Sequence, residues 1–158
     1  MIVDAYTHIL PAGYQALLEE KITDRDMSLN SARYAQSIPT LVDLEARFRL
    51  MDDFGEYIQV VSVASPPVHS IAPPAVAAEL CRAANDELAE MVLKYPHRFA
   101  AGIATLPMND MDSALKEAQR AIKDLRLRAV ELYTDINGQP LDAPQFMPLY
   151  EMMAELDR

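Results

Sequence analysis

The stretch of this sequence best equipped for chemistry is VDAYTHILP, residues 3 to 11, in which Asp4, Tyr6 and His8 stand at every second position. Ile2, Val3 and Ala5 give it the apolar, β-leaning body of a short strand, and alternate side chains of a strand share one face. An i, i+2 pair on such a strand aims both donor atoms at one ion. His8 offers a neutral imidazole nitrogen. Tyr6 offers a phenol whose ordinary pKa of ~10 makes it a poor ligand unless the metal deprotonates it, so its simpler role is that of a hydrogen-bond donor beside the ion. Asp4, one step deeper on the same expected face, is costly there as a lone charge. Two uses stay open for it: a hydrogen bond that orients a metal ligand from behind, or an ion pair between strands. Because Cys81 is the only cysteine, any metal must be held by histidine and carboxylate groups.

Other chemistry-bearing residues fall in loops and on helices. His69, in SPPVHSIAPP, either lines a substrate mouth or faces solvent. His97, in KYPHRF, precedes a strand and so lies at the end opposite a site built on strand C-termini. Arg33, in the polar stretch 22–39, is the arginine best placed to clamp a substrate carboxylate bidentately. Arg47 and Arg49 sit on a helix and read as solvated or paired with Asp43, Glu45, Asp52 or Asp53. Thr134, Asp135 and Asn137 follow a strand, where Asp135 is a candidate substrate contact, although Asn137 and Gly138 are also ordinary turn chemistry.

The elements that must position these groups alternate. Apolar runs at 2–5, 57–64, 99–105 and 129–133 lack clean alternation, as strands covered on both faces do. Between them, Thr40 with Asp43 suggests a capping box, and Leu41, Leu44, Phe48 and Met51 form a helical stripe that ends at Gly55. Val76, Leu80, Ala84, Leu88 and Val92 mark a second helix. A third spans 112–125, and a fourth begins near Pro148. The order predicts an α/β fold with a parallel sheet. No Gly-rich phosphate turn follows the first strand, and polar residues gather at strand C-termini, which favours a barrel over an open doubly wound sheet. Four βα units make half of a (β/α)8 barrel, with 1–158 as one domain and 22–39 as an irregular loop on the active-site side.

Composition narrows the functions. The 158 residues carry 14 Lys plus Arg against 24 Asp plus Glu, and the formal charge of −10 repels nucleic acid and anionic lipid. No apolar run is long enough to span a membrane, and Asp4 interrupts any signal-peptide core, so a cytoplasmic protein is expected.

VDAYTHILP, RLMDDFGEYIQVVSVASPP, LCRAANDELAEMVLKYPHRFAAGIATLPM and VELYTDINGQPLDAPQFMPLYEMMAELDR occur in this order, and together they resemble the N-terminal half of amidohydrolase-related proteins. The branch is the one containing aminocarboxymuconate-semialdehyde decarboxylase and γ-resorcylate decarboxylase. The resemblance implies a TIM-type barrel with one divalent metal, Zn2+ or Mn2+, at its C-terminal mouth. It further implies decarboxylation of a small conjugated or aromatic carboxylic acid, with metal-dependent hydrolysis as the alternative within the family. The family's first strand carries His-x-His or Glu-x-His as ligands, which places His8 at a ligand position and makes Tyr6 a departure. The ligands that follow the fifth and eighth strands fall beyond Arg158. Four βα units would also leave strand edges unpaired and inward side chains such as Val61, Val63 and Ile103 without their opposing half, so homodimerisation, or association with the missing C-terminal half, is expected. A non-catalytic half-barrel or a truncated piece of an enzyme is the rival reading.

Overall fold

In the computed structural model, which describes residues 1–22, 37–64 and 66–156, four strands make one parallel sheet in the order β1-β2-β3-β4. They are β1 (Ile2–Ile9), β2 (Tyr57–Val63), β3 (Phe99–Ala104) and β4 (Ala129–Val130). Helices α1 (Ala12–Lys21), α2 (Leu44–Asp52), α3 (Val68–Ile71), α4 (Pro74–Lys94) and α5 (Met111–Lys123) run between the strands. A two-stranded hairpin of β5 (Asp135–Ile136) and β6 (Gln139–Pro140) precedes α6 (Met147–Glu155). The expected α/β order is present, and no helix among the described residues is long and apolar enough to cross a membrane.

Three local differences from the sequence pattern have physical reasons. Helix α1 is hidden in the sequence because Tyr14 and Leu18 are its only buried residues, a stripe one side chain wide. Its first turn is closed from a distance: the amides of Gly13 and Tyr14 donate to the Glu87 carboxylate of α4 at 2.9 and 2.5 Å. A Cβ on Gly13 would stand 2.7 Å from Glu87 Oε1, so this approach needs glycine. Helix α2 starts later than the Thr40 box suggests, because Pro39 to Leu41 form a 3-10 turn and Asp43 is the cap, its Oδ1 accepting from Glu45 N and Ala46 N at 2.8 and 3.1 Å. Strand β4 is two residues long instead of five. Glu131 N still donates to Ala104 O at 2.8 Å, but the chain then turns into the hairpin, where Asn137 and Gly138 take φ of 52° and 78°.

Pairing decides which face each side chain takes. Ile9, Val61, Val63 and Ala104 point into the helix layer, where they are at most 3% exposed and pack with Leu80, Ala84 and Leu88 of α4. Val61 and Val63, expected to face the barrel interior, are therefore part of the outer core. The opposite face carries Ile58, Val60 and Ile103, each only half-buried. Val60 aligns with Ala101, and Ile103 with Ala129.

Asn85 locks the sheet to the helices. Its amide bonds both sides of the Thr105 backbone, donating to Thr105 O at 3.0 Å and accepting from Thr105 N at 2.9 Å, and it also donates to Glu117 at 2.7 Å. Glu117 in turn pairs with Arg120. Asn85 is fully buried, so Asn85→Leu strands the Thr105 amide and carbonyl, and denaturant unfolding should register a loss of roughly 2 to 4 kcal/mol.

The half-wet face generates a second expectation. Each such apolar side chain forfeits part of the roughly 1.5 to 3 kcal/mol that full burial supplies. Sedimentation over a dilution series should find the chain self-associated at micromolar concentration or folded only when further polypeptide covers this face. A compact monomer that melts cooperatively and ignores a hydrophobic dye would count against this.

Candidate active site

Strand β1 does not keep the alternation of VDAYTHILP. Asp4 aligns with Gln59 and Thr7 with Val61, so β1 spends three residues where β2 spends two. This bulge puts Asp4 on the helix-facing side with Tyr57 and Gln59, and leaves Tyr6 and His8 on the open side with Ser62. The three polar groups expected on one face are thus split between two.

On the helix side, Tyr57 OH donates to Asp4 Oδ2 at 2.5 Å, which ties β1 to β2 by a hydrogen bond. Arg47, expected to be solvated or ion-paired, is 5% exposed. It donates to Thr40 O at 2.8 Å, to Gln59 Oε1 at 2.6 Å and to the carbonyl oxygen of His8. Burial pulls its guanidinium below the ordinary range, while Tyr57 and Asp4 oppose that shift. The anchor holds the C-terminal end of β1 from behind. Arg49, by contrast, is exposed and 3.7 Å from Glu45, as expected.

The open side carries the candidate site. His8 Nδ1 lies 2.9 Å from Ser62 Oγ, and Ser62 Oγ donates to Glu131 Oε1 at 3.3 Å. Tyr6, 68% exposed, sets its ring edge-on to His8 at 4.8 Å between centroids. Burial raises the Glu131 carboxyl, offset by the nearby His8 and by hydrogen bonds from Ser62 and Tyr6. Ser62 and Glu131 are the residues that sequence reasoning missed. Their signal was a hydroxyl and a carboxylate interrupting the apolar runs YIQVVSVA and AVELY.

His69 is 7% exposed instead of solvent-facing, with its ring 6.1 Å from that of Tyr133. Asn109 Nδ2 donates to the carbonyls of His69 and Ala72 at 3.3 and 2.9 Å and fixes α3 over the strand ends. Asp135 is exposed, and its Oδ1 accepts from Gly138 N at 2.8 Å within the hairpin turn. His97 is exposed at the N-terminal end of β3. Arg33 lies outside the described residues, as does most of the 22–39 loop.

Among the described residues no group of three or more His, Cys, Asp or Glu is placed to hold a metal. The donors present fit part of a site: an imidazole at the C-terminal end of β1, with a carboxylate one serine away. A metal held by this set would need further ligands.

A parallel sheet backed by helices, with its polar groups on the open face at the strand ends, defines half of a TIM-type barrel. The comparisons agree, since the amidohydrolase family model matches residues 3–158, and the chain belongs to that family. A γ-resorcylate decarboxylase from Polaromonas sp. is 35% identical over 145 residues, 87% of this chain and 43% of that protein. A 2-amino-3-carboxymuconate-6-semialdehyde decarboxylase from Dictyostelium discoideum is 26% identical over 98% of this chain and 46% of its own length. The crystal structure of a dihydroxybenzoic acid decarboxylase from Polaromonas sp., with bound manganese and the inhibitor 2-nitroresorcinol, superposes with a TM-score of 0.73 at 31% identity. It covers 99% of this chain and 47% of that one. The chain therefore spans less than half the length of these relatives.

Burial lowers the pKa of His69 while Asp135 opposes the shift, so the folded state favours neutral imidazole. The unfolded chain binds more protons below about 6.5, the ordinary imidazole value, and stability should fall as pH drops from there through the lower folded pKa. Unfolding measured from pH 8 to 5 should show this slope flattened in His69→Gln.

Proposed function

We propose that the protein is a metal-dependent decarboxylase of a small aromatic or conjugated carboxylic acid. The observation that carries the reading is His8 at the C-terminal end of β1, on the open face and backed by Ser62 and Glu131. The decarboxylases named above, one of them with manganese bound, support it. In this reading His8 is one ligand of a divalent metal, Mn2+ or Zn2+, and the remaining ligands come from a segment outside the chain. The bound metal supplies a Lewis acid that polarises the substrate.

The chain's own residues do the rest. Tyr6, exposed beside His8, donates a hydrogen bond to a carboxylate or phenolic oxygen of the substrate. Ile58, Val60 and Ile103 give the aromatic ring an apolar floor, and closure of the barrel over them keeps bulk water from the reacting carbon. His69 and Asp135 set the shape of the mouth, and Arg33 is the arginine assigned to clamp the acid. The protein acts as a soluble cytoplasmic enzyme with a small-molecule acid as its partner.

The complete protein, given a panel of dihydroxybenzoates and related acids, should release CO2 and the matching phenol. A chelator should abolish the reaction and Mn2+ should restore it. Products of C–O, C–N or C–C hydrolysis without CO2 would instead assign it to metal-dependent hydrolysis. Tyr6→His should tighten metal binding if Tyr6 only fills a ligand position, whereas unchanged or weaker binding gives the phenol a role of its own.

A further inference from the structure

We infer that Ser62 and Glu131 are positioning residues that set the tautomer of His8. Ser62 is 1% exposed although it lies on the open face, so its hydroxyl must find its partners inside the protein. Two are within reach: Glu131 Oε1 at 3.3 Å and His8 Nδ1 at 2.9 Å. A serine hydroxyl has one hydrogen to give. A carboxylate accepts only, so that hydrogen goes to Glu131, and Ser62 Oγ must accept the hydrogen carried by His8 Nδ1. The relay runs from imidazole N–H to hydroxyl to carboxylate.

The tautomer so selected has no hydrogen on Nε2, whose lone pair is then available to an ion. The other ring nitrogen of a metal-binding histidine ordinarily donates to an acceptor that fixes the tautomer in the same way. Here the acceptor is an alcohol on the neighbouring strand, made a committed acceptor by a carboxylate two strands further on. Three strands thus cooperate in aiming one ligand. The peptide of His8 is held independently, by Arg47 on its carbonyl oxygen, so ring and backbone are anchored from opposite faces of the sheet.

The inference rests on the metal-site reading for its purpose, but its test needs neither metal nor substrate. Nitrogen NMR of the 15N-labelled protein at alkaline pH, with the His8 signals assigned by their loss in His8→Gln, should show the hydrogen on Nδ1. In Ser62→Ala it should move to Nε2, in Glu131→Gln the two forms should mix, and Ser62→Thr should restore the wild-type pattern. Far-UV circular dichroism checks that each variant is folded. If Ser62→Ala does not fold, the wild-type spectrum decides the matter alone. Wild-type His8 with its hydrogen on Nε2, or a folded Ser62→Ala that leaves it on Nδ1, would overturn the relay. A failed decarboxylation assay beside an intact relay would overturn only the proposed function.

Discussion

Between Asp4 and Thr7, β1 advances three residues while β2 advances two, and the placement of every polar group at this end of the sheet follows from that difference. With regular pairing Asp4 would stand beside His8 on the open face, adding a negative charge where Glu131 already supplies one. The extra residue turns Asp4 to the other side, where Tyr57 OH meets it, and leaves His8 opposite Ser62. Bulges bend a strand and re-aim a side chain. This one separates structural polar groups from those available for chemistry.

The two faces are consequently held by different physics. Behind the sheet, polar groups are dry and bonded to protein: Arg47 bridges α2, β1 and β2, and Asn85 substitutes for a missing strand partner at Thr105. Low exposure makes these bonds stiff, because breaking one leaves a buried group without water to replace it. In front, Tyr6 is largely exposed and the apolar side chains are half-wet. Such a surface is costly in a finished domain and useful at the bottom of a site that another part of the protein covers. Rigidity behind the strands and openness before them are what a ligand-holding residue needs, since a ligand is positioned by its support and used from its free side.

Tyr6 illustrates how a changed residue can keep a place in such a site. At the position where the family resemblance expects a histidine or a glutamate, the phenol stacks edge-on against His8 and reaches the same carboxylate as Ser62. In this chain the carboxylate beside His8 is that of Glu131, which follows β4.

The sequence by itself determined the parallel α/β order, the long α4 and the turn at Asn137 and Gly138, because apolar periodicity and turn residues are local signals. It was silent on α1, whose cap is Glu87 from α4, and it misread Arg47, since nothing within a few residues of an arginine reveals a nest of carbonyls contributed by other elements. Ser62 and Glu131 were legible only as interruptions in apolar runs. Their meeting with His8 joins β1, β2 and the segment after β4, with a sequence separation of 54 from His8 to Ser62 and of 69 from Ser62 to Glu131. The bulge that aligns them is one residue long and has no signature in composition. Only the tertiary structure decided it, because register is chosen by burying Ile9, Val61 and Val63 together, and the polar side chains take whichever face that packing leaves.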